Sequence, residues 1–286
     1  MIFFLFFLLN NGMLYGRSDS IGITYIANCG FLIKIDSQKI IIDGLFKSGH
    51  NRYPTPNAST QKLLEAAQYP FNNINLILVS HTHEDHFDKN MVLNCMLNNS
   101  SATLICPQQV IAKLSENDSL YQKIKTRIIE CTPDTFTSQF IHIEGVDLHV
   151  CRFAHPGERH KNVQNIAYLV SVNGKSVFHS ADIDPLQIDK FTGIKLNESN
   201  IDVGLINEDF AKIENAALTR KFISAKHNVA MHLPDHVANV WLDSFKDKPG
   251  LFLNPFIFSK KMDKKSFFIT GGMEKPSMKF MPPTIK

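Results

Sequence analysis

The stretch Ser80-His81-Thr82-His83-Glu84-Asp85-His86 restricts this chain more than any other, because it follows directly on the apolar run Ile74-Asn75-Leu76-Ile77-Leu78-Val79. A near-continuous aliphatic run reads as a strand in a sheet covered on both faces. Three imidazoles and two carboxylates therefore crowd the point where a buried strand ends and the backbone turns. In extended chain His81 and His83, two residues apart, point the same way. Asp85 and His86 follow the turn and approach from another side. Neutral imidazole nitrogen and carboxylate oxygen are the ligands that zinc and similar divalent cations take. The spacing is not the His-Glu-x-x-His of a helical zinc protease, whose histidines lie one turn apart. The stretch is read as a metal site rather than as a polar loop of capping histidines.

Around it, strands and helices alternate. Residues 21–25, 31–35 and 39–42 read as strands, the last running into Asp43-Gly44. A loop spans 45–57, and a helix covers 59–68 with Ser59 or Thr60 as its cap. Asp88 caps a helix through Met96, 103–106 is a buried strand, Pro107 opens a helix to Leu114, and 127–130 is a strand. This alternation indicates βαβ units and a mixed α/β fold. A hairpin turning at Glu144-Gly145 leads to Ala154-His155-Pro156, and Asn173-Gly174 joins the strands 165–170 and 176–182. Further on come a buried strand at 203–207, a helix at 213–223 and a strand at 228–231 ending in His232. The basic stretch 260–265 reads as a solvated face, and the Pro-rich tail as frayed.

Composition narrows the classes. With 286 residues, 44% hydrophobic, the chain can bury a large core. Its 30 basic against 27 acidic residues are too even for a nucleic-acid surface, and 22 Phe speak for core. Cys29, Cys95, Cys106, Cys131 and Cys151 form no Cys-x-x-Cys pair, which argues against a disulfide framework and against a thiolate zinc site. Most read as small buried apolar residues. The apolar run Ile2 to Leu9 is far shorter than the ~20 residues of a transmembrane span. It reads as the core of a signal segment over 1–17, implying export to the periplasm or beyond, although no Lys or Arg precedes it. Retained as a buried first strand, it implies a cytoplasmic protein.

His81-Thr82-His83-Glu84-Asp85-His86 resembles the HxHxDH signature of the metallo-β-lactamase-fold metallohydrolase superfamily. The likeness extends in family order from about Tyr25 to His232. Ile40-Ile41-Ile42-Asp43 resembles the first motif, His155 the third-motif histidine, Asp182 the bridging aspartate and His232 the final histidine. His160 competes with His155, which is preferred because it directly follows a strand. His227 and His236 compete with His232. Where the family carries Gly before the bridging aspartate, this chain has Ala181, which restricts the backbone.

The resemblance implies a single αββα four-layer sandwich over 18–286: two sheets face to face, helices outside, and the site at the sheet edge. It implies two divalent metal ions, zinc by default with manganese or iron as alternatives. His81, His83 and His155 would hold one; Asp85, His86 and His232 would hold the other, with Asp182 bridging. Asp85 would also orient the nucleophile catalytically, while Asp43 and Asn165 support the loops. The implied function is a metal-dependent hydrolase that uses a metal-bridging hydroxide to cleave an ester, lactone or phosphodiester bond. The branch containing sugar-lactone hydrolases and phospholipid phosphodiesterases is most similar, so the expected substrate is a small or lipid-like molecule. A nuclease is disfavoured for want of a basic stripe, and a redox di-iron centre because such relatives have Glu where His83 stands. The alternative is a non-catalytic metal-binding or interaction protein on the same scaffold, to which Ala181 is the one pointer. Oligomeric state and the roles of His50 and His160 stay open.

Overall fold

The computed structural model describes residues 19–193, 195–234 and 255–269. The signal segment, His236 and the C-terminal tail lie outside the described residues. Within them, β1 (Ser20–Ala27), β2 (Gly30–Ile35) and β3 (Gln38–Ile42) form an antiparallel meander. Helix α1 (Ala58–Glu65) leads to β4 (Leu76–Leu78), α2 (Lys89–Asn98) to β5 (Thr103–Cys106), and α3 (Gln108–Ser115) with α4 (Asp118–Ile124) to β6 (Ile128–Glu130). These three strands add in parallel to β3.

The second sheet begins with the antiparallel β7 (Ser138–Ile143), β8 (Val146–Phe153), β9 (Asn165–Val172) and β10 (Lys175–His179). It ends with the parallel β11 (Val203–Asn207) and β12 (His227–Met231), separated by the short α5 (Glu208–Ala211) and α6 (Ala216–Phe222). β13 (Lys264–Phe268) returns to pair antiparallel with β1. Among the described residues the sheet orders are β13-β1-β2-β3-β4-β5-β6 and β12-β11-β10-β9-β8-β7.

Three apolar clusters define the layers. The central one joins Ile21, Ile33 and Leu78 of the first sheet to Val150, Tyr168 and Leu205 of the second. On the outer face of the first sheet, Ile41, Ile77 and Leu104 pack against Leu64 of α1, Met96 of α2 and Val110 of α3. Outside the second, Phe178 and Ile206 meet Phe210 of α5. The result is the αββα sandwich. Burial on both faces explains why the β4 and β11 strands read as unbroken apolar runs. Tyr168 ties the layers together, its hydroxyl donating to the carbonyls of Val79 at 2.9 Å and Ile105 at 3.2 Å across the central core.

Three details differ from the sequence reading. The cap of α1 is Asn57, whose side chain accepts from the Thr60 amide at 2.8 Å, so Ser59 and Thr60 lie inside the first turn. The stretch 213–223 divides into a 3-10 turn and α6. The basic stretch overlaps β13, an edge strand where exposed Lys264 and Lys265 sit beside buried Phe267. Lysines on an edge discourage pairing with a further chain, which is why a strand can look like a solvated face. Among the described residues, no helix is long and apolar enough to cross a membrane.

The topology has one consequence for function. The parallel strands β3, β4, β10, β11 and β12 bring their carboxyl ends to one edge of the sandwich, the usual place for a site in such sheets. The end of β8 lies there too, because Phe153 pairs with Asn165 at the start of β9.

Candidate metal centre

That edge carries Asp43 after β3, His81 after β4, His155 after β8, Asp182 after β10 and His232 after β12. His83, Asp85 and His86 stand in the loop between β4 and α2. All seven residues proposed as ligands converge. His81, His83, His155 and Asp182 form one tight group, in which one ligand atom from each lies within 4.8 Å of every other. His86, Asp182 and His232 form a second group, on the same criterion, together with Cys29. Asp182 belongs to both. Its Oδ2 lies 3.4 Å from His155 Nε2, 3.6 Å from His232 Nε2 and 3.9 Å from His81 Nε2, while Oδ1 lies 3.4 Å from His86 Nε2. Asp85 flanks the second group, with Oδ2 3.3 Å from His232 Nε2 and 3.8 Å from His86 Nε2.

Local backbone explains how so many polar groups meet. Asp43, Ala181 and His232 all adopt positive φ, at 44°, 49° and 62°, a conformation that costs non-glycine residues about 1 kcal/mol or more and collects at functional sites. Ala181 thus takes up the turn for which a glycine is better suited, and Asp182 still points inward. Asn165 holds that turn: its side-chain amide donates to the Asp182 carbonyl at 2.8 Å and its oxygen accepts from the Asp182 amide at 3.4 Å.

Around the ligand atoms a second set of hydrogen bonds orients the rings. The fully buried Asp43 carboxylate accepts from the Ser80 amide at 2.8 Å, from the Ser80 hydroxyl and from His86 Nδ1 at 2.8 Å. An ionised carboxylate only accepts. The Ser80 hydroxyl therefore spends its proton on Asp43, and its lone pair receives Nδ1–H of His81 at 2.8 Å. One carboxylate thereby fixes two imidazoles with Nε2 facing the centre. His155 is set the same way, Nδ1 donating to the Pro156 carbonyl at 2.9 Å. Partners of this kind hold a histidine in the tautomer a metal needs.

His81 Nε2 lies 3.1 Å from His83 Nδ1 and His232 Nε2 3.3 Å from Asp85 Oδ2, but three of the inward atoms are left without hydrogen bonds. His86 Nε2, His155 Nε2 and Asp182 Oδ1 are all buried and unpartnered, an arrangement costing ~1–3 kcal/mol per group unless something else satisfies it. A divalent cation does so, and imidazole nitrogens with carboxylate oxygens are a donor set that suits one. The residues fit a metal.

Electrostatics agrees. Burial, with His86 beside it, pulls the His81 pKa well below the ordinary value. Burial opposes charge on His86 also, but Asp182 and Asp85 outweigh it and hold that imidazole well above. A proton there occupies the place a cation would take, so metal binding must displace it. Burial raises the Asp85 pKa, but His86 and His232 bring it down to about 2, and Asp85 is ionised at neutral pH.

Burial and the His155 and His86 imidazoles press His83 down to about 4. The unfolded reference is about 6.5, so the unfolded chain takes up this proton first as the pH falls. Metal-free protein is therefore expected to keep this contribution to stability above about pH 6.5 and to lose it progressively toward pH 4. Thermal midpoints of chelated protein across that interval check it, with His83→Gln giving a shallower slope; identical slopes would refute the low His83 pKa.

Several neighbours were not legible beforehand. His179 donates from Nε2 to the Cys29 carbonyl at 2.9 Å and accepts the Ala181 amide at Nδ1 at 3.1 Å, joining two turns of the site. The Tyr53 ring lies 4.1 Å from that of His232, and Arg52 is 3.7 Å from Glu208. His50, exposed at the rim, stands 4.0 Å from Asp85 Oδ1. The His160 ring lies edge-on to His83 at 4.7 Å and tilted against His155 at 4.8 Å without joining either tight group. His227 lies against Phe267, away from the cluster. Cys29, read as one of the scattered apolar cysteines, is inside it.

Comparison with known proteins bears on the fold. Residues 40–238 match the model of a family described as the beta-lactamase superfamily domain, a span that runs from before Asp43 to beyond His232. No curated protein sequence matches the chain. Igni18, a metallo hydrolase from the archaeon Ignicoccus hospitalis, superposes with a TM-score of 0.59 at 17% identity, covering 87% of this chain and 98% of its own. A putative metal-dependent hydrolase from Parabacteroides distasonis gives 0.55 at 17%, covering 84% and 93%. CmlA, a diiron β-hydroxylase from Streptomyces venezuelae, gives 0.52 at 12%, covering 88% of this chain and 54% of its own. At these identities the likeness is one of fold.

Proposed function

Because this chain belongs to the β-lactamase superfamily, we propose that it is a metal-dependent hydrolase acting on an ester, lactone or phosphodiester. The observation that carries the reading is the convergence of imidazole and carboxylate groups from four strand ends, with the buried atoms His86 Nε2, His155 Nε2 and Asp182 Oδ1 left unpartnered among them. His81, His83, His155 and Asp182 would hold one divalent cation, and His86, His232, Asp85 and Asp182 a second. Bound there, such ions supply Lewis acidity: they polarise a carbonyl or phosphoryl oxygen and make water acidic enough to attack near pH 7.

The chain's own groups do the rest. Ionised Asp85, close to His232 and His86, accepts a hydrogen bond from the attacking water and aims it. Its carboxylate is steadied by Asn28, whose amide donates to Asp85 Oδ2 at 3.3 Å and to its carbonyl at 3.1 Å. His50 and Tyr53 face the substrate side, from the loop that precedes α1. The diiron hydroxylase shares the fold, so the fold leaves the reaction undecided. Hydrolysis is favoured by a site of five histidines and two carboxylates in which His83 stands where the redox relatives have Glu. Ala181, the one pointer to the non-catalytic alternative, adopts the positive φ of that turn, and Asp182 beside it belongs to both ligand groups, which supports the hydrolase reading.

The test is a panel of lactones, phosphodiesters, thioesters and β-lactams, run on protein of measured metal content. Turnover of one class is expected, and Asp85→Asn should lower it by about a hundredfold or more, with metal supplied in excess and bound metal measured so that loss of the ion is told apart from loss of the orienting carboxylate. Protein that binds no transition metal, or a variant as fast as wild type, would overturn the reading.

A further inference from the structure

The turn between β1 and β2 carries Asn28 and Cys29 into the metal edge, outside the segment that matches the family. It is held there from three sides. His179 donates to the Cys29 carbonyl, Asn28 donates to Asp85, and Gly30 packs so tightly that a Cβ would lie 2.8 Å from the Asp43 carbonyl oxygen and from Gly44 Cα. The turn cannot retreat without breaking these contacts.

Cys29 is fully buried, yet its sulfur is not surrounded by apolar groups alone. Its Sγ, His86 Nε2, a ring nitrogen of His232 and an oxygen of Asp182 all lie within 4.8 Å of one another. All five cysteines belong to the apolar clusters, but Cys95, Cys106, Cys131 and Cys151 take no part in such a group among the described residues. A cysteine chosen only to fill space would not need this company. The second observation is independent of the thiol: fully buried His86 Nε2 has no hydrogen-bond partner and is aimed into the same group.

We propose that Cys29 is a ligand of the cation at the second position, which makes that position a Cys-His-His-Asp centre with Asp85 alongside. The inference rests on the metal-dependent reading above. On binding, the S–H bond breaks, the proton leaves to solvent and a sulfur–metal bond forms, with no change of oxidation state. Thiolate is a soft ligand, so the second position should select zinc, cobalt or cadmium over manganese and magnesium, while the first, with nitrogen and oxygen donors only, should be less selective.

Cobalt(II) substitution of the full chain tests this without reference to turnover. Wild type loaded with two equivalents should show a near-ultraviolet thiolate-to-cobalt charge-transfer band. The band should vanish in Cys29→Ala and Cys29→Ser and survive in Cys151→Ala. In the Cys29 variants the second equivalent should bind at least ~10–100-fold more weakly, the loss known for an outer partner of a ligand, with the first unchanged. Should those variants fail to fold, zinc X-ray absorption of wild type still decides, since a sulfur shell at about 2.3 Å is required. Two ions bound with only nitrogen and oxygen neighbours would overturn the Cys29 assignment and leave the hydrolase reading standing. No ion bound would overturn both.

Discussion

Asp182→Ala is expected to empty both halves of the centre at once. The other ligands serve one group each, whereas Asp182 belongs to both and reaches four imidazoles from His81, His86, His155 and His232 at 3.4–3.9 Å. Its carboxylate is a principal negative charge at their meeting point. Burial raises its pKa, but His232 and His86 reverse that and keep it ionised, well below the ordinary value. Without it, the histidines have no shared counter-charge on which to assemble a cation pair. A metal's contribution of several kcal/mol to the transition state corresponds to about a thousandfold in rate or more, and that loss is expected in kcat/KM. Metal analysis of the purified variant checks the cause. Retention of two ions per chain would show that the carboxylate is not shared. His83→Ala, by contrast, should remove one ion and leave the group around His86.

Asp43→Ala should have the largest effect on stability. Asp43 touches neither proposed cation, but it accepts the Ser80 amide, the Ser80 hydroxyl and His86 Nδ1 inside a fully buried pocket. Removing it strands three donors at a place water does not reach. Breaking a buried pair of this kind costs about 3–5 kcal/mol, and urea unfolding of metal-free protein is expected to show that loss. Metal affinity should fall ~10–100-fold as well, because His81 and His86 lose the chain of hydrogen bonds that sets their tautomers. Asp43→Asn restores one acceptor oxygen and should recover only part of either loss. A stability change below about 1 kcal/mol would mean that water or another group replaces the carboxylate.

The two arguments differ in how visible their residues are along the chain. Asp43 follows an Ile-Ile-Ile run, and His81 follows Leu-Val-Ser, so each could be placed at the end of a buried strand from periodicity alone. Asp182 follows a strand begun by an Asn-Gly hairpin, a strong short-range signal. The cap at Asn57 was missed by two residues because Asn, Ser and Thr all satisfy an open amide. β13 was missed because its alternation is masked by edge lysines.

Cys29, His179 and Tyr168 were invisible for a deeper reason. Their partners lie far off in sequence: Cys29 with Asp182 and His232, His179 with Cys29, Tyr168 with Val79. Apolar runs, turn residues and caps act over a few neighbours, so the chain's letters were enough to establish strands, their ends and the polar groups on them. Which ends share an edge follows from sheet order and from packing two sheets on one core. Those long-range contacts turned an isolated cysteine into a neighbour of two imidazoles and a carboxylate, and no local pattern records them.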